Sequence, residues 1–247
     1  MTEPTDTSDT TRINKFIGES GYCSRREADH LIAEGRVSVN RQTAGIATRV
    51  AAGDEVRIDG QVLSPRRSNK GQRRHVYIAL NKPVGITCTS ESDVAGNIVA
   101  FVGHQRRIFP IGRLDKDSEG LILLTSNGDI VNRILGAENA KEKEYLVAVN
   151  LPVDAAWLRN MARGVPLQDG LTRPCKTGKL GKFGFRIVLT EGKNRQIRRM
   201  AAHFGYRVKQ LLRVRIANIR LGHLKPGQWR NLSDAELRGL LPEQNDW

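Results

Sequence analysis

"GRLDKDSEGLILLT", residues 112–125, sets three carboxylates within five positions, Asp115, Asp117 and Glu119, directly before an apolar run. The second half, "GLILLT", reads as a β-strand. The first half admits three readings: a calcium loop, an acidic turn, or a site of chemistry. A calcium loop of the helix–loop–helix kind needs a bidentate Glu at its twelfth position and an entering helix. Counted from Asp115 the twelfth residue is Ser126, and Pro110 and Gly112 prevent the entering helix. An acidic turn stays open, because Asp and Ser are ordinary turn formers. Arg113, two residues before Asp115, favours chemistry. A carboxylate with arginine neighbours stays ionised and fixed in direction.

Outward from that stretch, "VYIALNKP", "EYLVAVN" and "FRIVLTEG" also read as strands and "GDIVNRILG" as a short helix. "NRQIRRMAAHFG" predicts a helix with Asn194 as N-cap and Gly205 as terminator. Strands and helices interleave without a βαβ repeat, so an α+β fold with a mixed sheet is expected over residues 75–241. Alternation in "KEYLVAV" puts Lys143, Tyr145, Val147 and Val149 on one face, leaving Tyr145 as either a core or a site residue.

Residues 12–60 read as a separate small module. Ile13, Phe16 and Ile17 stand at helical spacing before Gly21. Ser24 and Glu27 form a capping box for a second helix, and "RVSVN" and "DEVRIDG" alternate as short strands. Arg25 and Arg26 fall in the first turn of that helix, where each opposes the helix dipole at a cost of about 0.3–1 kcal/mol. A phosphate bound there would reverse the sign. The basic, Pro- and Gly-containing residues 61–74 fit a linker. Residues 1–11, without the basic and apolar regions of a secretory signal, and 242–247 read as tails.

The chain of 247 residues carries 40 Lys and Arg against 26 Asp and Glu, a formal net charge of +14. Residues 61–82 hold six cations and no acid, and residues 192–220 nine cations and no acid. Such one-sided runs point to a polyanion, and nucleic acid leads. Aromatics make up only 5%, which favours folded RNA read by shape and backbone over stacking on many single-stranded bases. No apolar run approaches the roughly 18 residues of a membrane span. The three cysteines, Cys23, Cys88 and Cys175, are far apart and lack metal-ligand spacing, so reduced thiols, a cytoplasmic location and no metal are expected.

Two resemblances sharpen these readings. The run Arg12-x-x-Lys15-x-Ile17 followed by "SGYCSRREADHLIAEGRVSVNR" resembles the S4 RNA-binding module. "PIGRLDKDSEGLILLTSNGD", with "LNKPVGI", "KEKEYLV" and "LTEGKNRQIRRMAAHFG", resembles pseudouridine synthases of the branch that carries an S4 domain and modifies ribosomal RNA. Within it the chain is most similar to the large-subunit rRNA enzymes of the F type. The resemblance implies Asp115 as catalytic aspartate, Tyr145 as active-site tyrosine and Arg198 as the cation paired with Asp115. It further implies Arg113 beside the flipped nucleotide, Ile197 and Leu211 as uracil-pocket walls, and no cofactor. Asp117 and Glu119 are expected only to form the turn. RNA contacts are expected at Arg12, Lys15, Ser24, Arg25, Arg26, Arg36, Arg73, Arg74, Lys193, Arg195, Arg199, Arg213 and Arg215, some of the last five pairing in part with acids. The implied partner is ribosomal RNA of the large subunit, and a monomer is expected. Small-subunit rRNA or tRNA as substrate, and a non-catalytic ribosome-assembly factor, stand as alternatives.

Overall fold

The computed structural model describes residues 10–63, 75–91, 93–135 and 141–241. The chain divides into two compact units, Met1–Arg73 and Arg74–Trp247. Arg73 and Arg74, expected to contact RNA, lie outside the described residues.

In the first unit, helices α1 (Ile13–Ser20) and α2 (Arg25–Ala33) share a core with a four-stranded sheet. The strand order is Gln42–Thr43, Val37–Val39, Val56–Ile58, Gln61–Val62. Ile13, Ile17, Ala28, Leu31, Ile32, Val37, Val56 and Ile58 form that core. Gly21 ends α1 in the left-handed region at φ 81°. The predicted capping box is present: Ser24 Oγ accepts from the Glu27 amide at 3.1 Å, and the Ser24 amide donates to Glu27 Oε2 at 3.3 Å. Gln61–Val62 pairs with Arg57–Ile58, so the sheet runs past the expected start of the linker at residue 61.

The second unit is built on a nine-stranded mixed sheet. Its main path runs Lys176–Lys179, Gly184–Leu189, Lys143–Val149, Val208–Ile216, Glu119–Thr125, Tyr77–Lys82, Trp229–Asn231. Val208–Ile216 and Glu119–Thr125 pair in parallel, whereas the other pairings along this path are antiparallel. At that junction Gly120 has φ 107°, and a methyl group there would collide with the Arg213 backbone. Only glycine lets the two halves of the sheet meet so closely.

Both faces of the sheet are covered. Ile78, Leu80, Val147, Phe185 and Leu211 face a core completed by α3 (Ile98–Val102), α5 (Ala155–Arg163) and α6 (Gln196–His203). Tyr77, Ala79, Leu121 and Leu123 face α4 (Ile130–Leu135) and α7 (Asp234–Leu240). The run "LILL" is thus apolar throughout because its strand is buried on both sides. One cap departs from expectation. The N-cap of α6 is Arg195, not Asn194, in a left-handed conformation (φ 48°, ψ 34°) with no side-chain cap bond. The fork of Arg195 onto Asp117 holds it there.

Candidate active site

Asp115–Ser118 forms a turn just ahead of the central strand Glu119–Thr125, closed by the Ser118 amide donating to Asp115 O at 3.1 Å. Three buried or nearly buried cations brace it through backbone oxygens. Lys82, fully buried, donates from Nζ to Pro83 O and Ile86 O at 2.9 Å and to Lys116 O at 3.5 Å. Arg213 donates to Leu121 O at 2.6 Å and Arg113 O at 3.3 Å. Arg198 donates to Asp117 O at 2.9 Å, Ser118 Oγ at 3.1 Å and Val208 O at 3.3 Å. Burial lowers the Lys82 pKa, and the Asp115 and Asp117 carboxylates act against that shift.

The Asp115 side chain is 30% exposed, and its nearest ion-pair partner is Arg195 Nη1 at 3.7 Å. The same guanidinium forks onto Asp117 at 3.0 and 3.1 Å. That fork, followed by the charge of Arg198, holds the Asp117 carboxyl below its usual range. Tyr145, Ile197, Leu211 and Leu114 belong to one buried apolar cluster, and Leu114 adjoins Asp115 in the chain. The residues expected to line the pocket thus share one core cluster with the neighbour of Asp115.

Several expectations are corrected. Arg198 reaches Asp117 and Ser118, whereas the cation next to Asp115 is Arg195, expected at a phosphate. Asp117 is more than a turn former, since it carries that arginine. Glu119 accepts from Gln210, so Glu119, like Asp117, is engaged by a protein donor. Arg213 is buried among carbonyls, which leaves it no surface for a phosphate, and Arg215 is one of the cations expected to pair with acids: it binds Glu144 at 2.8 Å and Glu142 at 2.9 Å. Glu144, bonded first by Arg186 and then by Arg215, is held down at about 2. Arg199 forks onto Asp169 at 2.9 and 3.0 Å, and Lys193 caps the carbonyls of Asp169 and Gly170, which fastens the hairpin Pro166–Leu171 to α6. Arg36 is committed to Asp59 and Glu34. Arg113 is exposed next to the turn. In the first unit Arg12, Lys15, Arg25 and Arg49 line a pocket of about 300 Å³, with exposed Arg26 following Arg25 in α2.

Lys82 was missed as a site residue, although a lysine ending the apolar strand of "VYIALNKP" was a usable signal. Lys82→Met would orphan backbone oxygens that now bind a charged donor. It is expected to destabilise the protein by about 1.5–3 kcal/mol. Urea titration reads this directly, and an unchanged midpoint would show that the lysine is dispensable to the turn.

An acidic turn beside a buried apolar cluster, on a mixed sheet preceded by a small basic module, is the arrangement that the comparison with known proteins identifies as an RNA-modifying enzyme. The chain belongs to the RNA pseudouridylate synthase family, matched over residues 76–203, with an S4 domain matched over residues 11–56. It is an isomerase that makes pseudouridine in RNA. It is 53% identical over 237 residues to the dual-specificity RNA pseudouridine synthase RluF of Salmonella typhi, covering 96% of this chain and 80% of that protein. It is 32% identical over 238 residues to the ribosomal large subunit pseudouridine synthase B of Bacillus subtilis, covering 93% and 95%. A crystal structure of a pseudouridylate synthase superposes with a TM-score of 0.66 at 29% identity, covering 93% of this chain and 99% of that one.

Proposed function

We propose that the enzyme isomerises a uridine of large-subunit ribosomal RNA in the cytoplasm, with Asp115 as the reacting carboxylate. The observation that carries the mechanism is the placement of Asp115. It is partly exposed, faces a guanidinium at 3.7 Å, and follows Leu114 of the apolar cluster that includes Tyr145, Ile197 and Leu211. The likeness to a large-subunit enzyme and to a dual-specificity enzyme supports the choice of RNA, with a second RNA as a further substrate.

The reaction breaks the N1–C1′ bond, turns the uracil and forms a C5–C1′ bond, with the C5 proton moving to the ring nitrogen. Nothing is oxidised and no group leaves, so no cofactor is consumed. The target base must first leave its stack, at a cost of a few kcal/mol. Asp115 then either forms an ester at C1′ or removes a sugar proton toward a glycal; both routes need it ionised and aimed at the sugar. Apolar walls at Ile197 and Leu211 keep water from the detached sugar. Tyr145 stacks on the freed base and stands where the C5 proton departs. Arg113 contacts the displaced nucleotide from outside the pocket.

Mapping pseudouridines in RNA from cells with and without the gene tests the substrate. Loss of a large-subunit rRNA pseudouridine is expected. Losses confined to small-subunit rRNA or tRNA would overturn the choice of RNA.

A further inference from the structure

We propose that Phe101, His104 and Trp229 form a stacking platform for a nucleotide of the RNA that neighbours the target uridine. The inference rests on the reading of Asp115 as the reactive centre only for its location relative to the target.

Trp229 lies on the edge strand Trp229–Asn231 and is opposite Leu80 in register. Directly opposed residues of an antiparallel pair point to the same face. Leu80 belongs to the cluster that contains Leu114, Tyr145, Ile197 and Leu211, so Trp229 stands on the active-site face. Arg230, one residue on, points to the other face and forks onto Glu236 of α7.

Large side chains at such positions are normally covered, yet Trp229 and Phe101 are each 39% exposed and Val84 is 59% exposed. The rings sit close together. His104 meets Trp229 edge to face at 5.8 Å between centroids. Phe101 lies over Gly227, two residues before Trp229, where an added Cβ would meet the ring at 3.5 Å. The backbone connects this patch to the reactive turn: Gly227 and Gln228 bond to Asn81, and Gly85 donates to Lys116 O at 2.8 Å. Two strand spacings, about 10 Å, separate Glu119–Thr125 from the edge strand. A base stacked there is outside the uracil pocket but within reach of the same RNA strand.

Charge selects the occupant. Exposed Lys225 stands two residues before Gly227 on a chain of net charge +14, which suits a polyanion with flat apolar bases. Aromatic side chains beside cations are the usual means of holding single-stranded bases without reading their edges.

The test uses the full chain and a transcript of large-subunit rRNA. RNA is expected to quench the fluorescence of the wild-type protein, and Trp229→Phe is expected to lose that quenching while keeping affinity within about threefold. Trp229→Ala is expected to weaken binding roughly 5- to 50-fold. Trp229→Leu keeps bulk without a π face and is expected to bind as weakly as Trp229→Ala. Melting midpoints identify any variant that fails to fold, and the Phe–Leu comparison decides if Trp229→Ala does. Leu binding like wild type, quenching absent from the wild type, or full affinity in Trp229→Ala would each overturn the platform. Binding does not require the reaction, so inactivity or activity of Asp115→Asn leaves this measurement independent.

Discussion

Asp115→Asn should abolish pseudouridine formation, on the order of 10³-fold or more in single-turnover rate, while RNA affinity stays within a few-fold. The asymmetry follows from what the carboxylate touches. Its ion-pair contact is a 3.7 Å approach by Arg195, whose tight fork is on Asp117. Exposed ion pairs of this kind contribute about 0–1 kcal/mol, so an isosteric amide should leave the fold intact. The bond that closes the turn, donated by the Ser118 amide, is accepted by Asp115 O, which the substitution retains. What the amide lacks is a negative oxygen able to attack C1′ or take a sugar proton. Single-turnover conversion of a uridine-containing transcript, with binding measured in parallel, checks both halves. Residual product within tenfold of wild type would remove Asp115 from the reacting role and return the acidic stretch to a turn.

Local features were legible in the sequence because they depend on neighbours in the chain. The Ser24–Glu27 capping box joins residues three positions apart, and the face shared by Tyr145, Val147 and Val149 follows from a period of two. The Asp115–Ser118 turn was recognisable as a stretch, but not its bracing. Arg195 and Asp117 are 78 positions apart, and Arg213 and Leu121 are 92 apart. Such pairings are fixed by strand order, which periodicity does not encode. The parallel junction of Val208–Ile216 with Glu119–Thr125 carries Arg213 into the protein interior. In a run of nine cations, nothing marks the one that will be buried from the one that will face phosphate. Lys82 escaped for a related reason: lysines mostly end strands at the surface, and this one turns inward because three carbonyls converge on it.

The two arginines beside the turn should separate cleanly when substituted. Arg198 is 14% exposed in its side chain and binds Asp117 O, Ser118 Oγ and Val208 O. Its Nε lies 3.5 Å from Asp117 Oδ2 and makes no hydrogen bond, so its service to the turn runs through the backbone and Ser118. Arg198→Ala would leave those acceptors unmet and should cost about 1–3 kcal/mol of stability. Arg195 is different: 45% exposed, held by Asp117, and nearest to the Asp115 carboxylate. Its ion pairs should contribute about 1 kcal/mol or less to folding. Its left-handed backbone is an arrangement that side chains other than glycine seldom adopt, and it aims the guanidinium at both acids. Arg195→Ala is therefore expected to slow single-turnover conversion by about 10- to 100-fold, roughly 1.4–2.7 kcal/mol in the barrier, with an unchanged melting midpoint. Arg195→Lys should recover part of the rate, because an ammonium restores charge but not the fork. Asp117→Asn should show a smaller loss of the same kind, since it loosens the arginine without removing it. If Arg198→Ala instead slows the reaction at full stability while Arg195→Ala reacts normally, the cation that serves Asp115 is Arg198, and Arg195 only fastens the turn.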